Sequence, residues 1–160
     1  MKSYLVDEAE FSALDPCVGD GVAFMHSLDG TRGGGYGIEI GAFRAEQARN
    51  LSIKTLQASI VDARSPTEAF SLLYLNPPYD LEIGTTNNQR LELVFLEQRY
   101  RWLKPGAVLV FVIPQPQLRV CARILSEHFS DLSVYRDDGI CFLAVKFELT
   151  GRDCSCACSD

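Results

Sequence analysis

Seven short apolar runs, rich in β-branched and aromatic residues, alternate along the chain with segments whose apolar positions recur at helical spacing. The runs are FSALD (11–15), YGIEI (36–40), LQASIV (56–61), LLYL (72–75), AVLVFVI (107–113), LSVYR (132–136) and CFLAVKFEL (141–149). Helices are predicted at about 20–28, 42–50, 65–70, 89–103 and 116–127. Strand and helix in alternation predict an α/β fold, a mostly parallel seven-stranded sheet with helices on both faces. AVLVFVI is continuously apolar, as a central strand covered on both faces must be. Only DDG and its neighbours separate the last two strands, too little chain for a parallel crossover, so the last strand is expected to turn back antiparallel. In LKPGA (103–107) a helix is expected to end, with Gly106 supplying a positive φ after Pro105.

Composition narrows this picture. The 160 residues fit one domain, expected over 1–150, and suffice to bury roughly two-thirds of the unfolded surface. With 47% hydrophobic and 22% dispersed charged residues, the chain has the make-up of a globular protein and not of a disordered or fibrous one. No run approaches the roughly 18 apolar residues of a membrane span. The start, MKSYLVDEAEF, lacks the basic-then-apolar order of a secretory signal, so a cytoplasmic location is expected. A formal net charge of −6 opposes autonomous binding to a polyanion. Cys17, Cys121 and Cys141 lie among apolar residues, where a free thiol acts as a small hydrophobe. Cys154, Cys156 and Cys158 alternate in a tail over 151–160 that is expected to be disordered; the spacing is not that of a zinc module, and no metal is expected.

The candidate chemistry gathers at strand ends. ALDPCVGDGVAF follows the first strand and opens a helix; Gly19 and Gly21 let the backbone approach a ligand, and the helix start beyond them offers unpaired amides. Glu39 closes the next strand, 24 residues after Asp15, where a carboxylate accepts both hydroxyls of a ribose. Asp62 is expected to close the third strand and Asn76 the fourth. In doubly wound folds, ligands bind at that edge. A dinucleotide site would want a third glycine where Phe24 stands, and the acidic edge would repel a pyrophosphate. It suits a nucleoside carrying positive charge.

In this order the pieces DPCVGDG, IEI, VDA and NPPY resemble the Rossmann-like, class I S-adenosylmethionine-dependent methyltransferases, and among them the N6-adenine DNA methyltransferase type, over about residues 11–149. The resemblance implies S-adenosyl-L-methionine as cofactor. It further implies that Asp15 and the backbone from Pro16 through Cys17 and Gly19 to Gly21 hold the methionine part, Glu39 the ribose, Ile40 a face of the adenine, and Asp62 with the Ala63 amide its edge. Asn76 and the Pro77 carbonyl would accept the two N–H bonds of a target amine, while Tyr79 offers a ring on which the target stacks.

The chemistry of NPPY fits that role. A conjugated NH2 is a poor nucleophile because its lone pair is delocalised; two fixed acceptors favour the geometry that releases it, and preorganisation is the source of their strength. Consecutive prolines hold the backbone extended and restrict the residue before them. A target within a duplex must first leave the stack. The expected substrate is adenine N6 of nucleic acid, DNA ahead of RNA; the same tetrad also serves protein glutamine methyltransferases, and a non-catalytic cofactor-binding domain is the third reading. Residues 80–90, DLEIGTTNNQR, form a candidate substrate lid, and Arg90, Arg99 and Arg101 are candidate phosphate contacts at a helix surface. Because no basic stretch or recognition module accompanies the catalytic pieces, recognition is expected from a domain or partner outside this chain.

Overall fold

The computed structural model describes residues 11–31, 33–78 and 90–148. The elements are β1 (Ser12–Asp15), α1 (Val22–Leu28), β2 (Gly34–Glu39), α2 (Ala42–Asn50), β3 (Lys54–Gln57), β4 (Phe70–Leu75), α3 (Leu91–Arg99), β5 (Leu103–Pro114), α4 (Leu118–His128), β6 (Phe129–Asp137) and β7 (Ile140–Phe147). The seven strands form one sheet in the order β3-β2-β1-β4-β5-β7-β6. The first five run parallel, and β7 is antiparallel to both β5 and β6. The expected sheet, with its antiparallel last strand, is therefore present; β7 inserts between β5 and the edge strand β6.

Alternate side chains along each central strand feed two cores. Ala13, Leu72, Tyr74, Val108 and Val110 pack with Phe24 and Leu28 of α1 and Ala48 of α2. Their neighbours Leu14, Leu73, Leu75, Leu109 and Phe111 pack with Phe95 and Leu96 of α3 and Ile124 and Leu125 of α4. Two-sided burial explains why β4 and β5 read as unbroken apolar runs.

Four expectations are corrected. The third strand ends at Gln57 and not at 61, because its pairing partner β2 ends at Glu39, directly opposite Gln57. Beyond it Ala58 and Ile60 leave the sheet and pack against the core that holds α3. No helix forms at 65–70. Pro66 biases Ser65 away from helical geometry, Glu68 has a φ of 58°, and the amides of Glu68 and Ala69 donate to the carbonyls of Arg101 and Trp102. The helix expected to 103 stops at Arg99, with a single 3-10 turn over Tyr100–Trp102. LKPGA thus lies within β5: Gly106 takes the expected positive φ, 78°, where the β4–β5 register slips between Phe70 and Leu72. No helix among the described residues is long and apolar enough to cross a membrane.

Candidate active site

From β1 the chain runs outward through β2 to β3, then returns to lay β4 on the other flank of β1. The carboxyl ends of β1 and β4 therefore flank the switch point at which doubly wound sheets open a crevice. A cavity of about 590 Å³ lies there, lined by the loop after β1, the end of β2, the turn after β3, the residues after β4 and one face of α3.

The loop after β1 is built on itself. The Cys17 amide donates to Asp15 Oδ1 at 2.8 Å, the Val18 amide to the Ile38 carbonyl at 3.0 Å, and the Gly21 amide to the Val18 carbonyl at 2.9 Å. The Gly19 amide donates to Glu39 Oε2 at 3.1 Å, tying the loop to the end of β2. These loop amides serve the protein, and the expected unpaired amides belong to the helix start beyond them, where the Val22 amide donates to Asp20 Oδ1 at 3.1 Å. Gly19 and Gly21, both at positive φ, also differ in function. A Cβ on Gly19 would meet nothing within 4 Å, whereas one on Gly21 would lie 2.5 Å from Ile53 Cδ1. Gly19 leaves room at the cavity wall; Gly21 is required by the packing of α1 against Ile53 and Ala48.

Glu39 is buried and fully engaged. Besides Gly19, its carboxylate accepts the Gly41 amide at 2.8 Å and Arg44 Nε and Nη2 at 3.0 and 2.6 Å, all three on Oε1. Asp15, also buried, is pushed up to about 8 by desolvation, which the Cys17 amide opposes and the nearby Glu39 charge reinforces. The same burial and the two carboxylates raise the Cys17 thiol, so this half-buried cysteine at the cavity wall is no nucleophile. Cys121 and Cys141 are wholly buried, as small hydrophobes.

Of the residues singled out in the sequence, Pro16, Cys17, Gly19, Glu39, Ile40, Asn76 and Pro77 border the cavity. Asp15 lies buried behind the loop, and Gly21 faces the core. Asp62 does not close a strand: it sits exposed in the turn five residues after β3, and neither it nor the buried Ala63 lines the cavity. The wall expected from them is made by Ala58–Val61. Tyr79, all of the candidate lid over 80–90 except Arg90, and the tail cysteines lie outside the described residues.

Sequence reasoning missed the contribution of α3, which brings Leu91, Val94 and Phe95 to the cavity, and missed Arg44. Arg44 carries a readable signal: it is a cation in the first turn of α2, where the helix dipole favours an acid, so it needs a local anion. Arg99 is corrected as well. It is 5% exposed, with its guanidinium 4.5 Å over the Trp102 ring, and is not a surface contact for phosphate. Arg90 pairs with the buried Glu92 at 2.7 Å.

Residues 5–149 match the family described as an uncharacterised methyltransferase family, DUF6094. The chain belongs to that family. It is a methyltransferase, and its fold is that of S-adenosylmethionine-dependent methyltransferases. A predicted O-methyltransferase from Agrobacterium tumefaciens superposes with a TM-score of 0.68 at 19% identity, over 93% of this chain and 79% of that one. The tRNA (m1A58) methyltransferase TrmI from Aquifex aeolicus gives 0.64 at 18%, over 88% and 63%. The 16S rRNA N2 G1207 methyltransferase RsmC from T. thermophilus, solved with AdoMet and guanosine, gives 0.66 at 16%, over 91% of this chain and 37% of that chain. No curated protein matches the sequence.

The methyltransferase's own cavity fits such a cofactor. Its volume is in the range of small-molecule sites, the Gly19 side is open, a carboxylate stands at the end of β2, and the raised Asp15 is an acid that a cationic ligand would draw into its charged form.

Proposed function

We propose that this methyltransferase holds S-adenosylmethionine across the ends of β1 and β2 and methylates an exocyclic amine of nucleic acid, with adenine N6 of DNA as the preferred target. The observation that carries the reading is that Asn76, Pro77 and Pro78, at the end of β4, border the same cavity as Gly19 and Glu39. A target amine held at β4 and a donor held at β1 and β2 would meet in one space.

In this reading Asp15 and the loop from Pro16 to Gly21 hold the methionine part, Glu39 the ribose and Ile40 a face of the adenine. The adenine edge falls to the turn over Ala58–Val61 in place of Asp62 and Ala63. Bound S-adenosylmethionine supplies an electrophilic methyl group on a sulfonium sulfur. The Asn76 side-chain oxygen and the Pro77 carbonyl accept the two N–H bonds of the target, so that its lone pair is free to attack. No base is required beforehand, since the proton leaves to water once the nitrogen carries the methyl group and a positive charge. Tyr79 supplies a stacking face worth about 1–3 kcal/mol to a flipped base. Because the chain carries a net charge of −6, a duplex would need basic surface from another domain or protein.

RNA is the second reading, favoured by the names of two fold neighbours that place them on tRNA and rRNA. Tritiated methyl transfer to single-stranded DNA, duplex DNA, RNA and protein extract, followed by nuclease digestion, tests both. Label recovered as N6-methyladenine from DNA is the expected result. Label confined to protein would move the target to a glutamine amide, and cofactor binding without transfer would leave a non-catalytic binding domain.

A further inference from the structure

The turn after β3 walls the cavity with one bond to β2 beyond Gln57, the Ala58 amide donating to the Glu39 carbonyl at 3.1 Å, so from Ser59 onward something else must hold it. Its own amides close a tight loop, Asp62 and Ala63 both donating to the Ser59 carbonyl at 3.1 and 3.2 Å. From α3, Arg99 reaches across and donates from its guanidinium to the Ile60 carbonyl, while Ile60 itself faces the cavity. Arg99 stacks on Trp102, its Nε has no hydrogen-bond partner, and it makes no ion pair among the described residues. Burial and the neighbouring Arg64 charge push its pKa down. A buried cation that is paired with no carboxylate is a poor way to stabilise a core, and an apolar side chain of similar volume would serve packing better.

We propose that Arg99 is a positioning residue for the nucleoside end of the cofactor site: its bond to the Ile60 carbonyl pins the turn over 58–63 as a cavity wall. The inference rests on the reading that this cavity takes S-adenosylmethionine. The bond explains the location of the charge, because α3 supplies Phe95 to the same cavity one turn before Arg99, so a single helix sets both the apolar wall and the anchor of the turn.

The test compares Arg99→Met with Arg99→Lys. The first keeps the volume beside Trp102 and removes the donor; the second keeps a donor for the Ile60 carbonyl. In Arg99→Met, amide hydrogen exchange over 58–64 is expected to accelerate about tenfold with the rest of the sheet unaffected. S-adenosylmethionine affinity should fall about tenfold, kcat at saturation should stay within about twofold, and the melting temperature should hold or rise. Arg99→Lys should recover most of the affinity. A purely structural residue would behave differently: Met would match or surpass Lys, or the melting temperature would fall with exchange rising evenly, and either result overturns the proposal. Unchanged exchange over 58–64 overturns it too, whatever the ligand does. A wild-type protein that fails to bind S-adenosylmethionine would instead sink the cofactor reading, while the exchange pattern still decides whether Arg99 pins the turn.

Discussion

The cavity has two halves with opposite chemistry. At the ends of β1 and β2 it is carboxylate-based: Asp15 lies behind the loop, and Glu39 accepts four donors, two from backbone and two from Arg44. At the end of β4 the wall is uncharged, with Asn76 followed by Pro77 and Pro78. A charged, hydrogen-bonded half suits equilibrium recognition of a polar, cationic ligand, because charge-assisted bonds contribute to binding in the ground state. A neutral, backbone-stiffened half suits work done only as the reaction proceeds, because an amide oxygen and a proline carbonyl placed in advance need no reorganisation. In the proposed function, the same strand-end grammar would yield a binding half and a reacting half.

Substitutions at the two halves should separate rate from affinity. The largest effect is expected at β4: Asn76→Ala should lower kcat roughly 100- to 1,000-fold, with S-adenosylmethionine affinity within about tenfold of wild type, as read by single-turnover transfer and calorimetry. Equal losses in both would mean that Asn76 holds the cofactor and that the division of labour is wrong. Next in size, Glu39→Gln should weaken S-adenosylmethionine about 10- to 100-fold, the range for hydrogen bonds to a charged group, while kcat at saturation changes little. A rate loss that saturating cofactor does not restore would move Glu39 into the reacting half.

The places of these two residues at strand ends were legible in the sequence for a physical reason. Each follows an apolar run that a sheet must bury, so the first polar residue after the run marks the strand end, and in a parallel sheet strand ends collect on one edge. The hairpin of β6 and β7 was legible because its connection is too short for anything else. Asp62 was misplaced because the end of β3 is decided on another strand: β2 stops at Glu39, and the apolar residues Ala58 and Ile60 then turn to the core beside α3. The false helix at 65–70 has a similar origin, since the carbonyls of Arg101 and Trp102 claim the amides of Glu68 and Ala69 from more than 30 residues away. Arg99 looked like a surface residue because helical spacing does not reveal that Trp102 and the Ile60 turn close over it. Pairing partners distant in sequence account for each of these errors.

Within the binding half, Asp15 should make affinity depend on pH. Its carboxyl is pushed from 3.8 to about 8, so near pH 7 the unliganded protein holds it mostly protonated, while a cationic ligand favours the carboxylate. Affinity for S-adenosylmethionine should therefore rise with pH, by about tenfold between pH 6.5 and 8, level off above the shifted pKa, and be accompanied by proton release. The sign for stability is opposite: between 3.8 and about 8 the folded protein binds a proton that the unfolded chain does not, so the unliganded fold weakens as pH rises through that window. Calorimetry in buffers of different ionisation enthalpy checks the proton count, and Asp15→Asn should flatten the affinity profile. A flat profile in wild type would show that Asp15 does not sense the ligand charge.

The smallest effect concerns what must leave the binding half before a ribose enters. A carboxylate offers about four lone-pair positions, and in Glu39 three donors crowd Oε1 while one serves Oε2. A diol that donates two hydrogen bonds therefore needs a position vacated. The Gly19 and Gly41 amides belong to the backbone and stay, whereas the Arg44 side chain is 57% exposed and can turn to water. With Glu39 as the proposed ribose carboxylate, Arg44 would compete with the diol, and Arg44→Ala should tighten S-adenosylhomocysteine binding by less than about fivefold, the scale of an exposed ion pair. A 2′-deoxy analogue, needing one position instead of two, should gain less. Moderate salt should act in the same direction on the wild type by screening the pair. Weaker binding in Arg44→Ala would show that the guanidinium touches the ligand directly and belongs to the recognition surface.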